Sequence, residues 1–141
     1  MRIYTPSGTK LLDATPQYVP ANWMLIKQDV PARVDNLEEG ISGVQAFGTL
    51  QVVPGGESVV TTFRFALPAS LVQSSASQSI YHLLVQKQPG TLAEPITIRV
   101  HLPNNASIQS VTDGAVVQDQ NILYQTDLRM DLEFTINFHI H

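Results

Sequence analysis

The segment at 130–141, MDLEFTINFHIH, constrains the fold of this chain more than any other. Its even positions are Met130, Leu132, Phe134, Ile136, Phe138 and Ile140; its odd positions are Asp131, Glu133, Thr135, Asn137, His139 and His141. Successive side chains of a strand point to opposite faces, so this period of two lays one apolar and one polar face along the segment. A helix would scatter both sets around its girdle. A strand that is dry on one side and wet on the other belongs in an antiparallel sheet covered on one face. At roughly 3.4 Å per residue it would run for about 40 Å, the height of a whole domain.

The same alternation recurs. In 95–102 (PITIRVHL), Ile96, Ile98, Val100 and Leu102 point inward while Thr97, Arg99 and His101 point outward. In 80–88, Tyr81, Leu83 and Val85 share one face. A hairpin is predicted from 46–53 and 58–67 around Pro54, Gly55, Gly56 and Glu57, because glycines supply the positive φ of tight turns. Its second arm sets Val59, Thr61, Phe63, Phe65 and Leu67 on one side, and Pro68 ends it. Shorter strands are expected at 2–4, 10–14, 23–27, 32–34, 107–111, 115–117 and 122–124, with 69–79 a loop or at most one turn of helix. Pro6-Ser7-Gly8, Glu38-Glu39-Gly40, Pro89-Gly90 and Asp113-Gly114 are turn signals.

Short strands at this spacing predict an all-β fold: an immunoglobulin-like two-sheet β-sandwich, mostly antiparallel, of about nine to eleven strands. One domain over residues 1–141 is the expectation for this length. The predicted inward set is Phe63, Phe65, Leu83, Val85, Ile98, Val100, Phe134, Ile136 and Phe138. Thr62 to Pro68 and Thr97 to Pro103 share the pattern T-φ-R-φ-x-L-P at an offset of 35 residues. Either an internal duplication or two equivalent strand ends would produce it.

Composition narrows the function classes. Charged residues are only 14% of the chain, so Thr, Ser, Gln and Asn must build its surface, a flavour of secreted and surface β-proteins. The net charge is −4 and the eight basic residues are dispersed, which disfavours nucleic acid and anionic membrane as partners. With no cysteine, disulfides and thiolate chemistry are excluded. No apolar run reaches transmembrane length and no signal peptide opens the chain, so direct membrane insertion of this segment is not expected. An excised domain, with anchoring and targeting segments lying beyond it, is the expectation.

The order RIYTPSGTKLL, QAFGTLQVVPGGESVVTTFRFALP, YHLLVQKQPGT, PITIRVHLP resembles the C-terminal part of a bacterial family of membrane-anchored surface proteins known as a domain of unknown function. The matching positions are Tyr4, Pro6, Gly8 and Leu11; Phe47, Gly48, Val52, Pro54 and Gly55; Leu67 and Pro68; and 86–91. These are turn and strand-end residues. The resemblance implies an accessory β-domain at the extracellular face of the cell envelope, in a membrane-anchored protein, and supplies no catalytic residues.

Candidate sites are few. His139 and His141 lie two apart on the wet face of the last strand, and with His101 they would form a metal site if their strands were neighbours. Asp131 and Glu133 share that face, and Glu38 and Glu39 sit in a loop; glycosidase chemistry would need one such carboxyl to be buried. Asp35, Asn36, Glu38 and Glu39, or Asp119 and Asn121, offer oxygen ligands to calcium without matching an EF-hand. Trp23, near Tyr18 and Met24, would stack on a sugar if exposed and pack a core if not. Nucleophile-elbow and phosphate-loop patterns are absent. No catalytic residue, metal or cofactor is therefore assigned. The expected function is a non-catalytic structural or adhesion module with a protein or envelope-polymer partner. The alternative is a ligand-binding module for carbohydrate or another envelope polymer.

Overall fold

The computed structural model describes residues 1–75 and 78–141. The fold is all-β: twelve strands, every pairing antiparallel, and no α-helix among the described residues. One sandwich was expected over 1–141. By its internal contacts the chain divides into two compact units, Met1–Pro68 and Ala69–His141.

The first unit holds β1 (Arg2–Pro6), β2 (Lys10–Ala14), β3 (Asp35–Leu37), β4 (Val44–Gly48) and β5 (Phe63–Ala66). They form one sheet of order β1-β4-β3 and a two-stranded β2-β5 ribbon. The turn between β1 and β2 closes with the Thr9 N–H donating to the Pro6 carbonyl, and Gly8 takes φ +88° there. Val19, Ala46 and Phe47 are buried, and the Phe47 and Phe65 rings lie 5.1 Å apart. Gly48 lets Leu37 pack close: a Cβ there would meet Leu37 Cδ1 at 2.7 Å.

Three expectations fail in this unit, each for a local reason. The 46–53/58–67 hairpin does not form, since β4 pairs with β1 and β3, and β5 pairs with β2. A turn does close at Pro54, with the Glu57 N–H donating to its carbonyl. The Val52 backbone, however, is satisfied by the Gln17 side-chain amide, which donates to its carbonyl (3.0 Å) and accepts from its N–H (2.8 Å). A side chain thus occupies the place of the opposite strand. Segment 23–27 is no strand: Ala21–Trp23 is a 3-10 turn, and Lys27 bends back at φ +49°. The strand expected at 32–34 starts three residues later as β3, because the Thr49 hydroxyl donates to the Arg33 carbonyl at 2.8 Å.

The second unit holds β6 (Val72–Ser74), β7 (Ser79–Val85), β8 (Pro95–His101), β9 (Ala106–Val111), β10 (Val116–Gln118), β11 (Asn121–Asp127) and β12 (Leu132–Ile140). A four-stranded sheet, β6-β7-β12-β9, and a three-stranded sheet, β10-β11-β8, share one core. Ile98, Leu102, Ala106, Ile122, Phe134, Ile136 and Phe138 fill it, and Tyr124 stacks on Phe134 at 5.5 Å.

The alternation in 130–141 is realised in β12, which pairs with β7 on one edge and β9 on the other. The strand is nine residues rather than twelve. It begins at Leu132 because the Asp131 carboxylate accepts the Lys87 N–H at 2.9 Å, leaving Met130 exposed. Of the predicted inward set, Ile98, Phe134, Ile136 and Phe138 are buried, while Leu83, Val85 and Val100 are half-buried. Phe63 and Phe65 are half-buried in the first unit, so Phe63 does not belong to the core of β12. Segment 69–79 holds a 3-10 turn, as allowed, and also the unforeseen β6; its residues 76–77 lie outside the described residues. The T-φ-R-φ-x-L-P copies fall in β5 and β8, in different units, and their leucines differ: Leu102 is buried and Leu67 exposed.

Candidate functional site

The most unusual surface of the first unit is the loop at 18–30. Its neck is a two-way backbone pair, Val19 with Val30, at 3.0 and 2.9 Å. Val19 is completely buried and fixes the neck in the core. Within the loop the Trp23, Met24 and Lys27 N–H groups donate to the carbonyls of Pro20, Ala21 and Met24. Asp29 bridges back across it. Its carboxylate accepts the Ala21 N–H at 2.7 Å and the Tyr18 hydroxyl, and this bond raises the Tyr18 pKa above its ordinary value.

A loop tied at both ends and across its middle is held in one shape, yet it turns apolar side chains to water. Leu25 is fully exposed, Ile26 is 64% exposed and Trp23 is 45% exposed. Tyr18 stands exposed beside the neck. Trp23 is therefore not a core residue, and its neighbours at the tip are aliphatic. Contiguous apolar surface of this kind marks contact sites in soluble proteins. The sequence signal was present in WMLIK, an apolar run bounded by Pro20 and Pro31, but its length matches a strand as well as a loop tip. Leu25 and Ile26 were missed for that reason.

The histidines are not brought together. His101 is on β8, in the three-stranded sheet, whereas His139 is at the end of β12, in the other, and His141 directly follows that strand. His101 Nδ1 lies 2.9 Å from Asn121 Oδ1, beside a shallow hollow of about 330 Å³ that also borders Arg99 and Gln118. The His139 and His141 rings meet edge to face at 4.8 Å, and His141 Nε2 lies 3.0 Å from the Ser107 hydroxyl. Among the described residues no three His, Asp or Glu side chains are placed to hold a metal ion.

The carboxylates have structural partners. Asp131 caps Lys87, and Glu133 stands 3.8 Å from His82 at the surface. Glu39 pairs with Arg2 and Asp35 with Arg33, both at 3.2 Å, while Asn36 accepts from Gln45. Glu38 is exposed and Asp119 sits at a turn with φ +53°. No helix among the described residues is long and apolar enough to cross a membrane. No protein-family model matches the chain, and neither a curated protein nor a solved structure does.

Proposed function

We propose that this chain is a non-catalytic interaction module of a bacterial cell-surface protein, and that it makes its contact through the tip of the 18–30 loop. The observation that carries this reading is the exposure of Trp23, Leu25 and Ile26 on a loop braced by the Val19–Val30 pair and by Asp29. Tryptophan and tyrosine are over-represented among residues that dominate protein–protein binding energy. A loop already held in shape loses little conformational freedom on binding, so more of its contact energy appears as affinity. The extracellular placement rests on the resemblance of the turn and strand-end residues and on the scarcity of charge. An immunoglobulin-like description of the sandwich likewise belongs to this proposal.

The second reading is a carbohydrate or envelope-polymer module, favoured by the exposure of Trp23 and Tyr18. Sugar sites combine a ring face with polar groups for the hydroxyls. Here the Asp29 carboxylate already serves Ala21 and Tyr18, and the tip beside Trp23 is Met24, Leu25 and Ile26. Protein contact fits better. The test compares binding of the wild type and Leu25→Ser/Ile26→Ser to bacterial envelopes, before and after protease treatment, with free oligosaccharides as competitors. Loss of binding in the double variant and after protease is expected. Equal binding by both proteins would refute the loop as the contact. Competition by a sugar, with sensitivity to Trp23→Ala alone, would establish the second reading. A blue shift of Trp23 fluorescence on phosphatidylcholine vesicles would replace the protein partner with a lipid surface.

A further inference from the structure

The second unit carries a groove that its own described strands do not fill. Its volume is about 460 Å³, within the range of roughly 300–1,000 Å³ typical of small-molecule sites. Val72, Tyr81, Val100, Leu102 and Phe138 wall it, and Ser74 stands among them.

Strand register explains why it is there. Directly paired residues of antiparallel strands share a face. One row of the larger sheet is therefore Val72, Tyr81 and Ile136, and the next is Ser74, Ser79 and Phe138. Ile136 and Phe138 are buried, whereas Tyr81 and Val72 are only half-buried and Ser74 is exposed. The core thins toward β6. The smaller sheet ends at β8, which pairs with β11 alone among the described residues, so four strands are covered by three. The apolar inner face of β6 and β7 continues past its cover.

Three observations define what fits. No lining residue is charged. An ion placed here would lose its hydration without gaining a partner, so the occupant is neutral. The walls are aliphatic and aromatic side chains from two sheets, which suits a slender apolar body. Ser74 and Tyr81 add two hydroxyls to this lining. That of Ser74 lies 3.0 Å from Ser79 and retains bonding capacity. That of Tyr81 has no hydrogen-bond partner among the described residues, and burial pushes its pKa up. No buried side-chain nitrogen or oxygen among the described residues lacks a partner, so this hydroxyl is reached by solvent and is free to bond an occupant.

We propose that this groove binds a neutral single-chain amphiphile of the long-chain alcohol class, its chain between β8 and the β6–β7 face and its hydroxyl on Tyr81 and Ser74. An added peptide strand along β8 is the competing occupant. The groove meets β8 only at Val100, with Leu102 just beyond the strand, and not at Ile96 or Ile98. Prolines at 95 and 103 bound that edge, and neither has an N–H for a ladder. The small ligand fits better.

The test uses the whole chain and the uncharged fluorophore N-phenyl-1-naphthylamine. A saturable, one-to-one fluorescence rise reversed by 1-decanol is expected. Val72→Trp, which fills the groove, should weaken both ligands roughly tenfold or more. Tyr81→Phe should leave the fluorophore bound and weaken decanol about three- to tenfold, the loss of one hydrogen bond. Should Val72→Trp unfold the unit, amide shift changes in the wild type on adding decanol provide the second readout. They should centre on 72–74, 79–81, 100–102 and 138–140. Leu25→Ser/Ile26→Ser should bind the fluorophore as the wild type does, which separates this site from the 18–30 loop. No saturation, equal binding by a folded Val72→Trp, shifts confined to the loop, or displacement by an apolar peptide but not by decanol would overturn the proposal.

Discussion

Phe134→Ala is the perturbation that most directly probes how β12 holds the second unit together. Phe134 has no solvent exposure, pairs with Leu83 across the ladder and stacks on Tyr124. A phenylalanine of this kind removes on the order of 150–250 Å² from water. At about 25 cal/mol per Å², that burial is worth about 4–6 kcal/mol for the whole side chain. Alanine retains part of it, while the aromatic pair adds about 0.5–1.5 kcal/mol to the loss. The expected cost is therefore about 3–5 kcal/mol, within the range for Phe→Ala in packed cores. For a urea slope of about 2 kcal/mol per molar, the midpoint should fall by roughly 2 M.

The control is one residue away. Thr135 exchanges backbone bonds with Thr112: its N–H donates to the Thr112 hydroxyl at 2.8 Å, and its carbonyl accepts the Thr112 N–H at 3.0 Å. Neither bond uses the Thr135 side chain, so Thr135→Ala should change stability by less than about 1 kcal/mol. The probe matters as much as the mutation. Trp23, the sole tryptophan, belongs to the first unit, so a probe within the second unit is the direct one. Hydrogen exchange of amides in 121–141, measured as a function of urea, reads the affected strands directly. Similar small effects of Phe134→Ala and Thr135→Ala would refute the inward assignment of the even positions.

Four further outcomes are expected. Asp29→Ala removes the brace of the 18–30 loop, so exchange at the Ala21 amide should accelerate and the Tyr18 pKa should fall back toward its ordinary value in an absorbance titration. Burial raises the Tyr81 pKa, so its contribution is intact below the ordinary tyrosine value and is lost as pH rises through the raised one; alkaline urea melts should show this loss, and Tyr81→Phe should reduce it. Gly8→Ala forces an alanine to φ +88° and should cost about 1 kcal/mol or more, visible as a lower thermal midpoint of the first unit. Gln17→Ala leaves both Val52 backbone groups without their partner and should cost about 1–3 kcal/mol in the same melt.

Alternation was legible wherever backbone partners were also strands. β8 and β12 could be read almost residue by residue, because one face of each meets a core and period two admits only one register. Reading failed where a side chain replaced a strand. Nothing in 46–67 announces that the amide of Gln17, 35 residues before Val52, will satisfy its backbone and leave the predicted hairpin unpaired. The division into two units was hidden for a related reason. Phe63 and Phe65 alternate as Ile98 and Val100 do, and periodicity records that a face is dry without recording which core dries it.

The most consequential misreading is at 23–27, and it is informative because the local rule was sound. Five residues of WMLIK, flanked by prolines, satisfy the criteria for a buried strand. Burial was the natural expectation, since exposing Leu25 and Ile26 gains nothing for folding. The chain nonetheless fastens this segment with the Val19–Val30 pair, three backbone bonds spanning three residues each and a carboxylate, and presents it to water. A sequence whose other features serve burial departs from burial here, at a loop that is over-tied for a mere connection. Such local conflicts with folding concentrate at functional sites. On the proposed reading of the 18–30 loop as a contact surface, replacing Leu25 and Ile26 with serine should leave folding intact, because both side chains are already exposed, while abolishing envelope binding.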